Sequence, residues 1–146
     1  MNKKFLVIGN PIEHSLSPKL HNYWIKKNDL KASYDKKLLV ESEIQQLISN
    51  VREEKIHGLN VTVPFKKIVI PFLDILSHEA KNSQSVNIIY KDKDKIIGDN
   101  TDIEGFKIAL EATSQVIKNK KVLILGAGGV VPSIIIALKK MQVAKI

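Results

Sequence analysis

Short apolar runs alternate with amphipathic stretches along the chain. Apolar runs that end at Gly, Pro, Asn or charged residues predict buried strands, and apolar residues spaced three and four apart predict helices. The predicted strands cover residues 5–8, 33–40, 58–63, 86–90, 95–98 and 120–125, and "VAKI" at residues 143–146 begins another. The predicted helices cover residues 17–28, 42–54, 65–76 with a break at Pro71, 77–82, 101–113 and 129–140. This alternation predicts an α/β fold in which helices flank a largely parallel sheet.

The composition excludes several classes of protein. The chain has 146 residues, of which 44% are hydrophobic, and it contains no cysteine. Disulfides, thiolate catalysis and cysteine metal sites are therefore excluded, and a cytoplasmic location is expected. The apolar runs are too short for a membrane span, and the first of them is too short for a signal peptide. We therefore expect no membrane partner.

The formal net charge of +8 raises the alternative of nucleic-acid binding. However, the basic residues are interleaved with acids along the whole chain, and Arg52 is the only arginine. Arginine is the side chain that best recognises bases and phosphates. We therefore expect a solvated lysine surface that attracts small anions, and no nucleic-acid partner.

A glycine-rich turn in "VLILGAGGVVPSIIIAL" joins a predicted strand to a predicted helix. Gly126, Gly128 and Gly129 would let the backbone turn sharply and approach a pyrophosphate, whose charge is met by helix N–H groups. The match to the dinucleotide-binding pattern G-x-G-x-x-G is partial, because position 131 is valine. A tight turn without a ligand is the alternative interpretation.

The stretch "GLNVTVPFK" places Asn60 and Thr62 on one face of a strand, because strand side chains two apart point the same way. Lys66 follows at the predicted start of a helix, where the helix dipole disfavours its positive charge. Such a lysine can serve as an acid–base group. The alternative is a solvated lysine, like most others in this chain.

The stretch "GDNTDIEGF" ends a strand and opens a helix. Capping of that helix by Thr101 or Asp102 is one interpretation. In the other interpretation the carboxylate points into a cleft, where it pairs with a lysine and orients a hydroxyl of the ligand.

The stretch "NPIEHSLSPKLHN" carries Ser15 and Ser17 just before a predicted helix that has Pro18 in its first turn. Two hydroxyls at a helix start can bind a carboxylate or a hydroxylated ligand. Alternatively, Ser15 forms the turn and Ser17 caps the helix. His14 and His21 have no matching set of carboxylates nearby, so no metal site is predicted.

The order of these motifs resembles that of shikimate dehydrogenases. The stretches "GNPIEHSLSPKLHN", "GLNVTVPFK", "SVNIIY", "GDNTDIEGF" and "GAGG" carry the resemblance from residue 6 to about residue 140. It implies a substrate-binding domain over residues 1–105, a connecting helix and linker over residues 106–119, and the beginning of an NADP-binding, Rossmann-like domain over residues 120–146. The implied reaction is the reversible NADP-dependent reduction of 3-dehydroshikimate to shikimate, in the biosynthesis of chorismate and aromatic amino acids.

The same resemblance implies a role for each motif residue. The residues that correspond to substrate ligands are Ser15, Ser17, Thr62, Lys66, Asn87 and Asp102. Among these, the two serines hold the substrate carboxylate, and Lys66 paired with Asp102 is catalytic. Thr62, Asn87 and Asp102 hold the ring hydroxyls. The residues that correspond to the pyrophosphate loop of the cofactor site are Gly126, Ala127, Gly128, Gly129 and Val130.

The chain also departs from the family pattern. Ile88 stands where the family often has threonine, and Pro132 follows the loop near a position that is often basic. Family members continue well beyond this length, so we expect a truncated chain that is not active alone. A quinate/shikimate dehydrogenase with NAD preference and a non-catalytic substrate-binding fragment are the alternatives. The expected partner is a small-molecule substrate, and the expected state is a monomer or homodimer.

Overall fold

The computed structural model describes residues 2–146. One sheet contains the strands β1 (Lys3–Gly9), β2 (Ala32–Leu38), β3 (Gly58–Val61), β4 (Ile75–Leu76), β5 (Ile88–Asp92) and β6 (Lys95–Asp99). Their order across the sheet is β2-β1-β3-β5-β6-β4. β1 is parallel to β2 and β3, β4 is parallel to β6, and β5 is antiparallel to both of its neighbours. Since only β5 runs against the others, the predicted largely parallel sheet is confirmed.

The α-helices are α1 (Ser17–Lys27), α2 (Ile44–Arg52), α3 (Phe65–Ile68), α4 (His78–Ser83), α5 (Asp102–Glu111) and α6 (Val131–Lys140). Two single turns of 3-10 helix, Glu41–Glu43 and Ile70–Phe72, precede α2 and follow α3. Pro71 lies in the second of these turns. The predicted break within residues 65–76 is therefore confirmed.

Helices cover both faces of the sheet. Successive side chains of a strand point to opposite faces, so Val7 and Ile8 of β1 enter different cores. Ile8 belongs to the larger core, which is formed with α2, α3 and α4 by Leu39, Ile44, Leu47, Ile48, Val51, Leu59, Val61, Phe65, Val69, Ala80, Val86, Ile89 and Ile96. Val7 packs with Ile12 and Tyr34 in a smaller core against Ile25 of α1.

The predicted strand over residues 120–125 is wrong for this structure. Lys121 forms only an isolated parallel bridge with Lys145. Leu123 and Leu125 are 82% and 89% exposed, so nothing in residues 2–146 covers them. Strands of a parallel sheet are stabilised by burial on both faces. Without that cover the apolar run does not form a ladder.

Local boundaries differ at two further places. Ser42 does not cap α2, because it lies in the 3-10 turn where the Glu43 carboxylate accepts a hydrogen bond of 3.0 Å from the Val40 N–H. The sequence pattern does not predict the short strand β4. Its two residues, Ile75 and Leu76, pair with Ile97 and Gly98 of β6. Two residues are too few to show the alternation of apolar and polar positions that marks a strand.

Gly98 leaves no room for a side chain in the core. A Cβ at this position would lie 2.4 Å from Leu73 Cδ1 and 3.1 Å from both Leu76 Cδ2 and Val86 Cγ2. We expect Gly98→Ala to lower the free energy of unfolding by about 1–3 kcal/mol, the usual cost of overpacking. Urea unfolding followed by circular dichroism measures this change.

Gly105→Ala, in α5, is the matched control. A Cβ there would meet nothing within 4 Å. Alanine inside a helix is favoured over glycine by roughly 0.5–1 kcal/mol, so this variant should be slightly more stable than the parent chain. Equal effects of the two substitutions would contradict the packing described for β6.

Candidate functional site

The candidate site residues meet at one edge of the sheet. β1, β3 and β6 end at this edge, and the antiparallel β5 begins there. Ser15 follows β1, Thr62 follows β3, Asp102 follows β6, and Asn87 immediately precedes β5. The carboxyl ends of parallel strands are where α/β proteins place their ligands. Strand direction therefore brings together residues that are far apart in the sequence.

Lys66 and Asp102 form an ion pair at this edge. Lys66 Nζ lies 2.6 Å from Asp102 Oδ2, and the two side chains are only 14% and 21% exposed. The backbone of Lys66 is held as well, because its carbonyl accepts a hydrogen bond of 2.7 Å from the Val86 N–H. Partial burial strengthens the attraction between the charges relative to a surface pair. The predicted partnership of the two residues is thus present in the structure.

Asn87 binds the other oxygen of the Asp102 carboxylate. Its Nδ2 donates hydrogen bonds of 2.8 Å to Asp102 Oδ1 and 3.0 Å to Thr101 Oγ1, while its Oδ1 accepts one of 2.9 Å from the Thr101 N–H. The capping interpretation of this segment is wrong. Thr101 makes no side-chain cap, and the Asp102 N–H donates instead to Asn100 Oδ1 at 3.0 Å. Both oxygens of the Asp102 carboxylate therefore have a partner, Lys66 for Oδ2 and Asn87 for Oδ1.

Ser15, Ser17 and Thr62 line a single cavity of about 240 Å³, whose other lining residues are Val7, Pro11, Ile12 and His14. Ser15 forms the predicted turn, since its N–H donates to the Ile12 carbonyl at 3.0 Å and its Oγ accepts from the Ser17 N–H at 3.3 Å. The predicted cap is wrong, because Leu16 occupies the N-cap position of α1 and Ser17 is the first helical residue. The Ser17 hydroxyl is therefore not used as a helix cap.

Tyr34, which the sequence did not indicate, links these two parts of the site. Its phenol donates a hydrogen bond of 2.6 Å to Asn60 Oδ1, and Asn60 Nδ2 donates one of 3.3 Å to the Asn87 carbonyl. Burial raises the pKa of Tyr34 to about 12, although the polar Ser17 hydroxyl opposes the increase. Tyr34 lies on β2, far from the motifs, so no local pattern marks it.

His21 of α1 stacks on the ring of Tyr34. The two ring centroids lie 4.1 Å apart, with an angle of 6° between the ring planes. Burial lowers the pKa of His21, so the neutral imidazole is favoured. His21 thus supports Tyr34 from the α1 side of the sheet.

The glycine-rich turn of residues 126–130 is open towards solvent. An added Cβ at Gly126, Gly128 or Gly129 would meet nothing within 4 Å, and Gly126 has φ +114°. Within residues 2–146, the N–H groups of residues 126–130 have no hydrogen-bond acceptor. Free N–H groups before a helix suit an anion such as a pyrophosphate. The loop, which includes Ala127 and Val130, therefore fits the predicted cofactor group.

The loop also contacts the substrate side of the molecule. Ser85 Oγ donates a hydrogen bond of 3.5 Å to the Gly129 carbonyl, and Ser85 is two residues before Asn87. Pro132 lies in the first turn of α6, where its lack of an N–H is tolerated. The two predicted parts of the site are thus adjacent in this chain.

The described part of the chain contains no group of three or more His, Asp or Glu side chains placed to hold a metal ion. None of its helices is both long and apolar enough to cross a membrane. The site consists of hydroxyls, amides and one ion pair, a set suited to a hydroxylated, anionic ligand.

Comparison with known proteins identifies close relatives. A sequence profile described as the shikimate dehydrogenase substrate binding domain matches residues 7–89. A shikimate dehydrogenase (NADP(+)) of Pelagibacter ubique strain HTCC1062 is 73% identical over 146 residues, which are 100% of this chain and 55% of that protein. The chain thus spans about half the length of the curated relatives that it matches.

Solved structures agree with this comparison. The crystal structure of shikimate dehydrogenase from Aquifex aeolicus has a TM-score of 0.92 and 36% identity, covering 99% of this chain and 54% of that one. The enzyme of Thermus thermophilus, solved in complex with NADP(H) and shikimate, has a TM-score of 0.89 and 31% identity, covering 98% of this chain and 54% of that one.

The raised pKa of Tyr34 predicts a loss of stability in alkali. The folded state holds this pKa at about 12, above the usual value of 10.0. Its contribution to stability is therefore complete below about pH 10 and is lost as the pH rises towards about 12. We expect Tyr34→Phe, which cannot ionise, to lose less stability than the parent chain when urea unfolding is compared at about pH 9 and about pH 11.

Tyr23→Phe serves as the control for this titration, because Tyr23 is 59% exposed. This variant should follow the parent chain at both pH values. The same pH dependence in the parent chain and in Tyr34→Phe would show that the buried phenol does not carry the effect.

Proposed function

The chain belongs to the shikimate dehydrogenase family, and from that premise we propose that it is the substrate-binding part of an enzyme that reversibly reduces 3-dehydroshikimate to shikimate with NADPH. The observation that carries the proposal is the half-buried cluster of Lys66, Asp102 and Asn87. The choice of NADP as the cofactor is supported by the name of a relative, because the Pelagibacter ubique protein is a shikimate dehydrogenase (NADP(+)).

The substrate carboxylate lies, in this proposal, against the hydroxyls of Ser15 and Ser17. Both serines line the same cavity. Their hydroxyls can donate charge-assisted hydrogen bonds, which are about twice as strong as neutral ones. Thr62, Asn87 and Asp102 bind the ring hydroxyls from the adjacent strand ends.

Lys66 carries the proton in the proposed reaction. The ketone at C3 accepts a hydride at carbon, and Lys66 donates a proton to the oxygen as negative charge develops there. In the reverse direction Lys66 accepts the proton of the C3 hydroxyl. Asp102 holds the ammonium group in place, and Asn87 fixes the carboxylate of Asp102.

NADPH supplies the hydride when it is bound. The residues that would hold its pyrophosphate are Gly126, Ala127, Gly128, Gly129 and Val130. Their N–H groups have no acceptor within residues 2–146, so each can donate to a phosphate oxygen.

The domain division remains part of the proposal: residues 1–105 bind substrate, residues 106–119 connect, and residues 120–146 begin the cofactor domain. All six strands lie within residues 3–99, which supports the first boundary, although α5 continues across it. We also propose a cytoplasmic protein that acts on a small molecule as a monomer or homodimer. The lack of cysteine supports this compartment.

Removal of either serine hydroxyl should weaken shikimate binding. We expect Ser15→Ala and Ser17→Ala each to raise the dissociation constant by about tenfold or more, the worth of a hydrogen bond to a charged group. Isothermal titration calorimetry of the 146-residue chain with shikimate measures this change. Ser42→Ala, at an exposed position, is the control. Unchanged affinity in both test variants would contradict the carboxylate assignment, and tighter binding of quinate than of shikimate would favour the quinate alternative.

The role of Lys66 is tested in a complete enzyme. A chimera that joins this chain to the second half of the Pelagibacter ubique relative provides one, because the two proteins are 73% identical over the exchanged part. We expect Lys66→Ala to reduce kcat by about 10²–10⁴-fold, the usual contribution of an acid–base group. The oxidation of NADPH in the presence of 3-dehydroshikimate is followed by absorbance.

Lys67→Ala is the matched control, since this neighbouring lysine is exposed and lies on the same short helix. It should keep near-parental turnover. Near-parental turnover of Lys66→Ala would refute its assignment as the acid–base group. An inactive but folded chimera that still binds shikimate would favour the non-catalytic binding module.

A further inference from the structure

A cluster of buried polar side chains lies between the proposed substrate and cofactor parts. Among residues 2–146, the buried polar side chains are Ser83, Ser85, Asn100 and Ser133, each no more than 4% exposed. They come from the end of α4, the segment before β5, the segment after β6, and α6. All four meet at Asn100 or its hydrogen-bond partners, so this part of the interior is built around one amide.

Every polar atom of the Asn100 side chain is engaged. Nδ2 carries two hydrogens and faces three acceptors, the Ser85 carbonyl at 2.8 Å, Ser133 Oγ at 2.9 Å and Ser83 Oγ at 3.1 Å, so two of these acceptors share one N–H. Oδ1 accepts a hydrogen bond of 3.0 Å from the Asp102 N–H. Acceptors surround one end of the amide and a donor faces the other, so only one orientation of the amide satisfies all of them.

The arrangement connects two functional elements. On one side, Asn100 holds the backbone of Asp102, whose carboxylate pairs with Lys66. On the other side it holds Ser133, which lies in the first turn of the helix that follows the glycine loop and is 0% exposed. A buried polar group is costly unless it is fully hydrogen-bonded, and a satisfied network specifies one arrangement of the elements that it joins.

We propose that Asn100 is a positioning residue that couples the placement of the glycine loop and α6 to the orientation of Asp102. The Ser133–Asn100–Asp102 series of hydrogen bonds transmits a shift of α6 to the carboxylate. Part of this inference, the response to substrate, rests on the proposed function. The link between Ser133 and the Asp102 backbone does not depend on it.

The first measurement needs no ligand. Hydrogen exchange of the Asp102 N–H in the 146-residue chain, followed by NMR, reports the bond to Asn100 directly. We expect exchange at this amide to accelerate by about two- to thirtyfold in Ser133→Ala, the range of coupling changes usual for such networks. Ser83→Ala is the matched control, because it removes another buried acceptor of the Asn100 amide, on the substrate side. It should lower the thermal stability about as much as Ser133→Ala does. It should change the exchange of the Asp102 N–H less.

The second measurement is a titration of the isotope-labelled chain with shikimate. Signals of Gly128, Gly129 and Ser133 should shift together with those of Thr62 and Asn87. The shifts at the glycine loop should disappear in Asn100→Ala and Ser133→Ala. They should persist in Ser85→Ala, which removes only the 3.5 Å contact to the Gly129 carbonyl.

The outcomes separate the two proposals. Unchanged exchange at Asp102 in Ser133→Ala would overturn the inference, as would a loop response that is lost in Ser85→Ala and kept in Ser133→Ala. If shikimate shifts no signal of the parent chain, the proposed function fails, and the exchange measurement alone then decides the role of Asn100.

Discussion

The direction of β5 is the constraint on which the site depends. Because this strand runs against its neighbours, its first residue lies beside the last residues of β3 and β6. Asn87 therefore enters from the start of a strand, while Thr62 and Asp102 enter from the ends of strands. A parallel strand in the same position would place Asn87 at the opposite edge of the sheet. The hydrogen bond between Asn87 and Asp102 is thus a consequence of topology, which a local rearrangement could not replace.

The partly buried position of the ion pair of Lys66 and Asp102 determines what the pair contributes to the protein. Two half-buried charges attract each other more strongly than surface charges, but they also lose solvation, so the pair contributes little net stability. The pair is more important for the geometry of the site than for the stability of the fold. Asn87 holds the side chain of Asp102 and the amide of Asn100 holds its backbone, so the carboxylate keeps its position beside the Lys66 ammonium group.

Much of this arrangement is predictable from the sequence because its determinants are local. Apolar runs that end in Gly, Pro or Asn mark the strand ends, and the polar residues that follow them mark the site edge. Ser17 and Asp102 show the limit of local rules, since each has a capping residue type at a helix start and neither caps. Local patterns do not predict the network of Tyr34, Asn60 and Asn87, because it joins residues from three separate parts of the sheet. The apolar run near Leu123 has the pattern of a strand but does not form one, because a sequence pattern does not say whether other elements will cover it.

The site is assembled from segments spread between Ser15 and Asp102, and no single segment contains a working part of it. A ligand that touches all of them can bind only the folded chain, so it must oppose unfolding by mass action. At a concentration about one hundred times its dissociation constant, such a ligand adds about 2.7 kcal/mol to the free energy of unfolding. Because the site is dispersed along the sequence, the melting temperature of this chain can report the proposed binding of small hydroxylated acids, and the measurement needs neither a cofactor nor a chemical step.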